Sequence, residues 1–436
     1  MDNTKVLKFS GSLKVSGDKS ISHRALILSA MSIGKTKISN LLESDDVLRT
    51  LEILKELGVK IIKERDEWIV YGNGTNGFLE PRKYLDCGNS GTTARLMIGA
   101  VSSNPIVCNF IGDDSLSKRS MSRVTEHLEK IGAIIHLTKK DFLPLLITGS
   151  DRLLPINHNI KKPSAQIKSA LILAALNIHG KTKIIESIPT RDHTERLLKF
   201  LKANIKIKKL KNRNIEIELN GPYEIRSKNI KVAGDPSSAS FFIVGALILP
   251  KSNITLKNIM INPSRNEFLK VLKNMGAKIK VQKTKQISGE EVGNITVKYS
   301  KLKGITIPPS KSAFLIDEYP ILAVAASQAK GKTVMNGLSE LRHKESDRIN
   351  SIVSNFKKLG IKINEINNNL SIYGGKLKIE KGIKIKTFND HRIAMSFSIL
   401  NLLCDRKLKI DNMKCINISY PEFKNHLNKL LQYVND

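Results

Sequence analysis

Residues 17–31 read GDKSISHRALILSAM, a short polar opening that runs into a helix-length stretch of small and aliphatic residues. Five more segments follow the same plan. GNSGTTARLMIGAV begins at Gly88, PSAQIKSALILAAL at Pro163, GDPSSASFFIVGALIL at Gly234, DEYPILAVAAS at Asp317 and NDHRIAMSFSILNLL at Asn389. Successive openings lie about 70–80 residues apart, a super-repeat longer than the usual solenoid periods. These stretches are apolar on nearly every face, which predicts buried helices rather than helices lying on a surface. Sheets must then wrap around them, with helices inside and strands outside.

Each apolar stretch is followed by a strand pattern and then by an amphipathic helix with a charged face. Those second helices end alike: LKELGVKI at Leu54, LEKIGAII at Leu128, LKNMGAKI at Leu272 and FKKLGIKI at Phe356. A glycine closes each helix and a β-branched strand follows, which is C-cap chemistry leading into a strand. The third repeat departs, with LKANIKI at Leu201. Six like units divide naturally into two domains of three. The fold class expected is α/β, two pseudo-threefold inside-out α/β barrels with the active site in the cleft between them. The expected boundaries are 18–234 for one domain and 1–17 plus 235–436 for the other.

Each first helix opens with Gly, Ser, Asp or Pro, residues suited to a helix N-terminus. Such an end carries about +0.5 charge and unpaired N–H groups. One such opening reads as plain capping, whereas six together read as an anion site.

Apolar residues make up 41% of the 436, enough for large cores and too many for disorder. The opening MDNTKVLKFSGSLKVS has no apolar secretory core. The longest apolar stretch, residues 239–249, is shorter than the roughly 18–20 residues a bilayer needs. A soluble, cytoplasmic monomer is expected. Cys87, Cys108, Cys404 and Cys415 show neither C-x-x-C nor zinc-like spacing, so reduced, buried thiols are expected and no metal.

The net charge of +32 admits nucleic acid, membrane or anionic small molecules as partners. Most of the excess is dispersed lysine. A single-stranded nucleic-acid groove would also need interleaved aromatics, which are only 5%. The tripeptide GKT at Gly34, Gly180 and Gly331 lacks the upstream glycine of a P-loop and precedes a strand instead of a helix. These are repeat-equivalent turns.

Arginine is scarce, 17 against 55 lysines, so its placement carries information. Arg24, Arg95, Arg119, Arg191, Arg348 and Arg392 lie in or beside repeat openings or second-helix starts. A guanidinium fork grips carboxylate and phosphate in a way lysine does not. Arg49 and Arg65 read instead as surface ion-pair residues.

Around these arginines stand GDKSISHR, GNSGTTAR, SKRSMSR, SAQIK, TRDHTE, GDPSS, LRHKESDR and NDHR, in order along the chain. In these strings the sequence resembles the enolpyruvyl transferase family, specifically the synthases that act on shikimate 3-phosphate. SAQIK, RDHTE and GDPSS are similar to the second of their two bacterial classes. The resemblance implies two domains, each of three βαβαββ units with helices inward. It also implies transfer of the enolpyruvyl group of phosphoenolpyruvate to a shikimate 3-phosphate hydroxyl, with no cofactor.

Residue by residue, the resemblance makes Ser20 and Arg24 contacts to the shikimate phosphate and Lys19 a contact to both substrates. Ser164, Ala165 and Gln166 form a second shikimate-phosphate set, Gln166 also reaching the pyruvyl group, and Arg191 adds a phosphate contact. Gly91, Arg119, Arg348 and Arg392 form the phosphoenolpyruvate clamp, supported by Asn89 and Thr92 and flanked by Asp390 and His391. Asp317 is the base at the attacking hydroxyl, with Lys344 beside it, and Glu345 handles the proton at the methylene. Ser120 stands where many relatives have proline, and Gly91 leaves room that an alanine would fill.

Two rival readings are separable. The sibling transferase that acts on UDP-N-acetylglucosamine carries a reactive cysteine near the place of Arg119, and residues 112–123 contain none. A basic RNA-binding or RNA-end-processing protein would call for the missing aromatics.

Overall fold

The computed structural model describes residues 5–139, 141–161, 163–211, 214–375, 382–404 and 407–435. All six apolar stretches are helices: α1 (Lys19–Ala30), α2 (Gly91–Ser102), α3 (Ala165–Ala175), α4 (Pro236–Ile248), α5 (Tyr319–Ser327) and α6 (His391–Leu400). Helices α5 and α6 are buried along their whole length, and α4 from Ser237 onward. A helix this apolar on every side is stable only inside, where each large aliphatic side chain contributes roughly 1.5–3 kcal/mol by leaving water.

The helix starts are capped by the residues that open the repeats. Ser90, Ser164, Asp235 and Asp390 each accept a backbone N–H from the first turn that follows. Helix α5 differs: Glu318 at its N-cap makes no such bond, and its carboxylate is engaged elsewhere.

Second helices follow at Asp45–Glu56, Ser122–Glu129, His193–Phe200, Glu267–Asn274 and Arg348–Lys358. The closing glycines Gly58, Gly132, Gly276 and Gly360 all have positive φ, between 68° and 99°. The third repeat keeps this backbone without its glycine. Lys202 takes the left-handed position at φ 61°, so the equivalent of the glycine is Lys202 and the repeat differs in sequence while keeping its shape.

Chain contacts resolve two compact units, here called N-terminal (Lys19–Ala233 with Ile287–Glu290) and C-terminal (Met1–Asp18, Gly234–Gln286 and Glu291–Asp436). Five of the six repeats build one kind of sheet. The strand after the buried helix pairs in parallel on one edge and antiparallel with a hairpin on the other. In the second repeat Val107–Ile111 runs parallel to Leu85–Asp86 and antiparallel to Phe142–Thr148, which pairs Ile134–Lys139. The sixth repeat, among the described residues, keeps only the parallel pair Lys384–Ile385 and Lys409–Ile410.

Parallel strands are exchanged between the first and fourth repeats. Lys5–Leu13 precedes α1 in sequence but pairs with Asn253–Met260 after α4. Ile225–Arg226 and Ile230–Lys231 precede α4 but pair with Ser32–Ser39 after α1. The chain therefore leaves the C-terminal unit after Asp18 and returns at Gly234. Within the C-terminal unit these two stretches are stitched together: Gly17 bridges Gly234, and the Asp235 N–H donates to Ser16 O at 3.1 Å.

In the N-terminal unit α2 and α3 pack so closely that a Cβ on Gly99 would lie 2.5 Å from Ala170 Cα. That contact fixes the spacing of the first turns of α2 and α3, which carry candidate site residues. Among the described residues no helix is long and apolar enough to cross a membrane. Cys87, Cys108, Cys404 and Cys415 are buried and unpaired in disulfides, and burial pushes the Cys108 and Cys415 thiols up to about 12.

Candidate active site

In the N-terminal unit Lys19 begins α1, and its Nζ lies 2.8 Å from Asp46 Oδ2 in the first turn of the next helix. The Asp46 carbonyl accepts Thr93 Oγ1 at 3.2 Å, which ties this pair to the first turn of α2. Arg24, one turn further along α1, is 4% exposed. Its guanidinium donates to Thr194 Oγ1 and Ser169 Oγ, each at 2.7 Å, and to the Ser20 carbonyl at 2.9 Å. Ser169 lies on α3, whose N-cap and first turn are Ser164, Ala165 and Gln166. Ser20, Ser164, Ala165, Gln166 and Arg191 are all half-buried.

A second group forms around Arg95. Its Nη1 donates to Gln166 Oε1 at 3.0 Å and to the Gly91 carbonyl at 3.4 Å, and its Nη2 to the Ser120 carbonyl at 3.1 Å. Gln166 Nε2 donates in turn to Thr92 Oγ1 at 3.0 Å. Arg119 Nη2 donates to Asn89 Oδ1 at 2.8 Å and Ser115 Oγ at 3.0 Å, while Nη1 reaches the Asn89 carbonyl at 3.3 Å. Arg119 Nε is buried without a hydrogen-bond partner among the described residues. Gly91, Thr92, Asn89, Arg119 and Gln166 are thus brought together.

In the C-terminal unit the candidates gather on Arg348, which is completely buried. Its Nε lies 2.8 Å from Asp390 Oδ2, its Nη2 2.6 Å from Glu345 Oε2 and its Nη1 3.7 Å from Asp317 Oδ1. Arg392 donates to the Asp317 carbonyl at 3.0 Å and lies 3.6 Å from its carboxylate. Burial alone would raise the Asp390 carboxyl, but Arg348 outweighs it and the group ends below its ordinary range. Burial lowers the Lys344 ammonium, with Asp317 and Glu345 opposing and Arg348 reinforcing the shift. A lysine whose proton is held less firmly beside two carboxylates suits proton traffic. His391 is buried at the start of α6.

Several buried charged residues stand outside the candidate set. Lys168, 1% exposed, bridges Glu186 at 2.8 Å and Glu195 at 2.7 Å. Burial by itself would lower its ammonium, but the two carboxylates outweigh it and raise it. Arg265, in the string Asn262-Pro263-Ser264-Arg265, is buried against Asp18 and Asp235. Its scarcity as an arginine at a second-helix start was a usable signal. Asp192, His193 and Glu290 place ligand atoms within 4.8 Å of one another, but Arg196 already pairs Asp192 at 2.8 Å and Glu290 at 3.8 Å. Arg49 forms the surface ion pair expected of it, 2.7 Å from Asp86.

Comparison with known proteins agrees throughout the chain. The family model described as EPSP synthase (3-phosphoshikimate 1-carboxyvinyltransferase) matches residues 4–427. The 3-phosphoshikimate 1-carboxyvinyltransferase of Parvibaculum lavamentivorans is 45% identical over 414 residues, 95% of this chain and 92% of that one. That of Clostridium tetani is 45% identical over 410 residues, 94% and 92% of the two chains. Among solved structures, EPSP synthase from Acinetobacter baumannii superimposes with a TM-score of 0.85 at 37% identity, covering 99% of both chains. The enolpyruvyl transferase NikO from Streptomyces tendae shares the fold with a TM-score of 0.74 at 16% identity. The chain therefore belongs to the EPSP synthase (3-phosphoshikimate 1-carboxyvinyltransferase) family.

Proposed function

We propose that this protein transfers the enolpyruvyl group of phosphoenolpyruvate to the 5-hydroxyl of shikimate 3-phosphate, releasing phosphate. The observation that carries the assignment to these residues is the state of Arg119. It is held by neutral acceptors, Asn89 and Ser115, and has a buried Nε–H without a partner among the described residues. A guanidinium so placed is preorganised for an anion, which would replace nothing more than weak contacts. Arg95 and Gln166 frame the same spot.

The two substrates together carry roughly −5 to −6 of charge. Lys19, Arg24, Arg119, Arg191, Lys344, Arg348 and Arg392 oppose it. Ser20, Arg24, Ser164, Ala165, Gln166 and Arg191 hold shikimate 3-phosphate, and Gly91, Arg119, Gln166, Arg348 and Arg392 hold phosphoenolpyruvate. Lys19 touches both. Asn89, Thr92, Asp390 and His391 support the clamp.

The reaction is addition followed by elimination. Asp317, with Lys344 beside it, takes the proton of the attacking hydroxyl as its oxygen bonds to the enol carbon. Glu345 delivers a proton to the methylene, giving a tetrahedral adduct. Removal of a methyl proton then restores the double bond as the carbon–oxygen bond to phosphate breaks. Acid and base must act at different atoms of the adduct, which is why two carboxylates on separate segments make chemical sense. The enzyme is read as a cytoplasmic monomer acting on small anions, with neither nucleic acid nor membrane involved. Phosphate release from phosphoenolpyruvate should depend strictly on added shikimate 3-phosphate. Release without it, or dependence on UDP-N-acetylglucosamine instead, would overturn the proposal.

A further inference from the structure

The C-terminal unit holds a buried cluster that the proposed chemistry does not use. Arg265 Nη1 is 3.1 Å from Asp18 Oδ2, while its Nη2 donates to Ser237 Oγ at 2.6 Å and lies 3.4 Å from Asp235 Oδ1. Ser237 Oγ donates onward to Glu318 Oε1. Asp18, Asp235, Ser237, Arg265 and Glu318 are all buried. Asp18 is the chain neighbour of Lys19 and Glu318 the chain neighbour of Asp317.

Nothing in this arrangement is explained by capping alone. Asp235 caps α4 through the Ser237 N–H at 2.8 Å, and that bond would survive without Arg265. Glu318 stands at the N-cap of α5 yet does not cap it. It turns instead to Ser237. Two carboxylates contact one guanidinium and a third reaches it through Ser237, a costly arrangement in a dry interior unless the geometry has a use. Burial and Asp18 push the Asp235 carboxyl up to about 7 against the pull of Arg265 and Arg392.

We propose that Arg265 is a positioning residue for enolpyruvyl transfer, fixing the backbone of Lys19 through Asp18 and the backbone of Asp317 through Ser237 and Glu318. One fork thereby holds, within the C-terminal unit, the chain neighbours of both residues, Asp18 and Glu318. The planar guanidinium is what the task requires, since one of its arms meets Asp18 and the other Ser237 and Asp235. A lysine could satisfy one side only. This rests on the reading of Lys19 and Asp317 as reactive residues.

The test uses Ser237→Ala, Asp18→Asn and Arg265→Lys in the full chain, with Lys19→Met and Asp317→Ala measured alongside. Circular dichroism and thermal melts establish which variants are folded. Ser237→Ala and Asp18→Asn change one or two atoms each and keep the experiment decisive if Arg265→Lys does not fold. The expected result is a fall in kcat of about ten- to a hundredfold, because a misplacement of about 1 Å costs on that order. KM for both substrates should stay within about threefold. Unchanged kcat in folded Ser237→Ala and Asp18→Asn overturns the proposal, as does a loss carried wholly by KM. If Lys19→Met and Asp317→Ala are themselves active, the reading of the site has failed rather than the role of Arg265.

Discussion

Arg348 Nε lies 2.8 Å from Asp390 Oδ2, and neither side chain has any exposed surface. A buried pair is weak evidence for stability by itself, but breaking one leaves an uncompensated charge and costs about 3–5 kcal/mol. Asp390 also caps α6 through the Arg392 N–H at 2.8 Å. Asparagine caps nearly as well as aspartate, so Asp390→Asn separates the two duties. The cap should persist and the helix with it. Arg348 would be left to Glu345 and Asp317 and drawn toward them. The expected outcome is a drop in urea midpoint equivalent to about 3 kcal/mol with an unchanged far-ultraviolet spectrum, together with a loss of turnover. Stability within experimental error of the parent would show that the buried pair is not what holds Arg348.

Gly91 tests the phosphoenolpyruvate contacts proposed for the N-terminal unit. A Cβ there would meet Arg95 Nη1 at 2.7 Å and Arg119 Nη1 at 3.6 Å. The first distance is too short, and the far end of Arg95 can move to relieve it. In Gly91→Ala, Arg95 should give up its bonds to the Gly91 carbonyl and Gln166 Oε1. Gln166 then loses one of its two side-chain partners. KM for phosphoenolpyruvate should rise about tenfold, on the scale of one lost charge-assisted hydrogen bond. KM for shikimate 3-phosphate should rise less, since Ser20, Arg24, Ser164 and Arg191 are untouched, and the melting temperature should move little. An equal rise in both KM values would count against the assignment of Gly91 and Arg119 to one substrate.

The buried helices were legible because their composition admits one environment. A stretch such as GDPSSASFFIVGALIL has no polar face to offer water, and α4 is buried where that reading put it. The exchange of strands was not legible. Lys5–Leu13 and Ile225–Arg226 carry the same β pattern as their neighbours, and only long-range pairing decides which helix each one serves. The third repeat departs for a local reason, since its left-handed residue is Lys202 where Gly58, Gly132, Gly276 and Gly360 stand in the others. The candidate site residues stand out in the repeat openings because capping and scarce arginines concentrate there. Arg265 carries one signal, its place at a second-helix start, but its partner Asp18 is 247 residues away, and charge compensation across such a distance leaves no periodic trace.

Lys168 offers a test of support in the N-terminal unit. It joins α3 to the end of strand Gly180–Glu186 and to helix His193–Phe200, through Glu186 and Glu195. Those elements carry Ser164, Gln166 and Arg191 on adjoining turns. Lys168→Met leaves two carboxylates buried without their cation, and stability should fall by about 3–5 kcal/mol. Adding Glu186→Gln and Glu195→Gln to the same chain should restore much of it, because the uncompensated charge is gone. A triple variant as unstable as the single one would indicate that shape, and not charge, is what Lys168 supplies. Affinity for shikimate 3-phosphate, measured by calorimetry on the triple variant, reports whether the phosphate contacts stay in place.

The pH dependence of stability should carry two opposing signatures. Burial and the neighbouring Asp18 raise the Asp235 carboxyl from 3.8 to about 7, with Arg265 and Arg392 opposing. Between those values the folded state holds a proton that the unfolded chain has released. Stability from this group is therefore fully present below about pH 4 and is lost as pH climbs through 7. His158 behaves in the reverse sense. Burial, with His127 and Lys130 nearby, lowers it from 6.5 to about 4, so its contribution is present above pH 6.5 and is lost as pH falls through 4. Each group can tilt the profile by at most about 1.4 kcal/mol per pH unit. Unfolding free energies from urea titrations at pH 5.0 and 8.0 separate the two. Asp235→Asn keeps the helix cap and should gain on the parent as pH rises, whereas His158→Asn should gain on it as pH falls. If Asp235→Asn merely shifts the profile by a constant, the carboxyl does not titrate in that window, and the cluster around Arg265 carries its full negative charge at neutral pH.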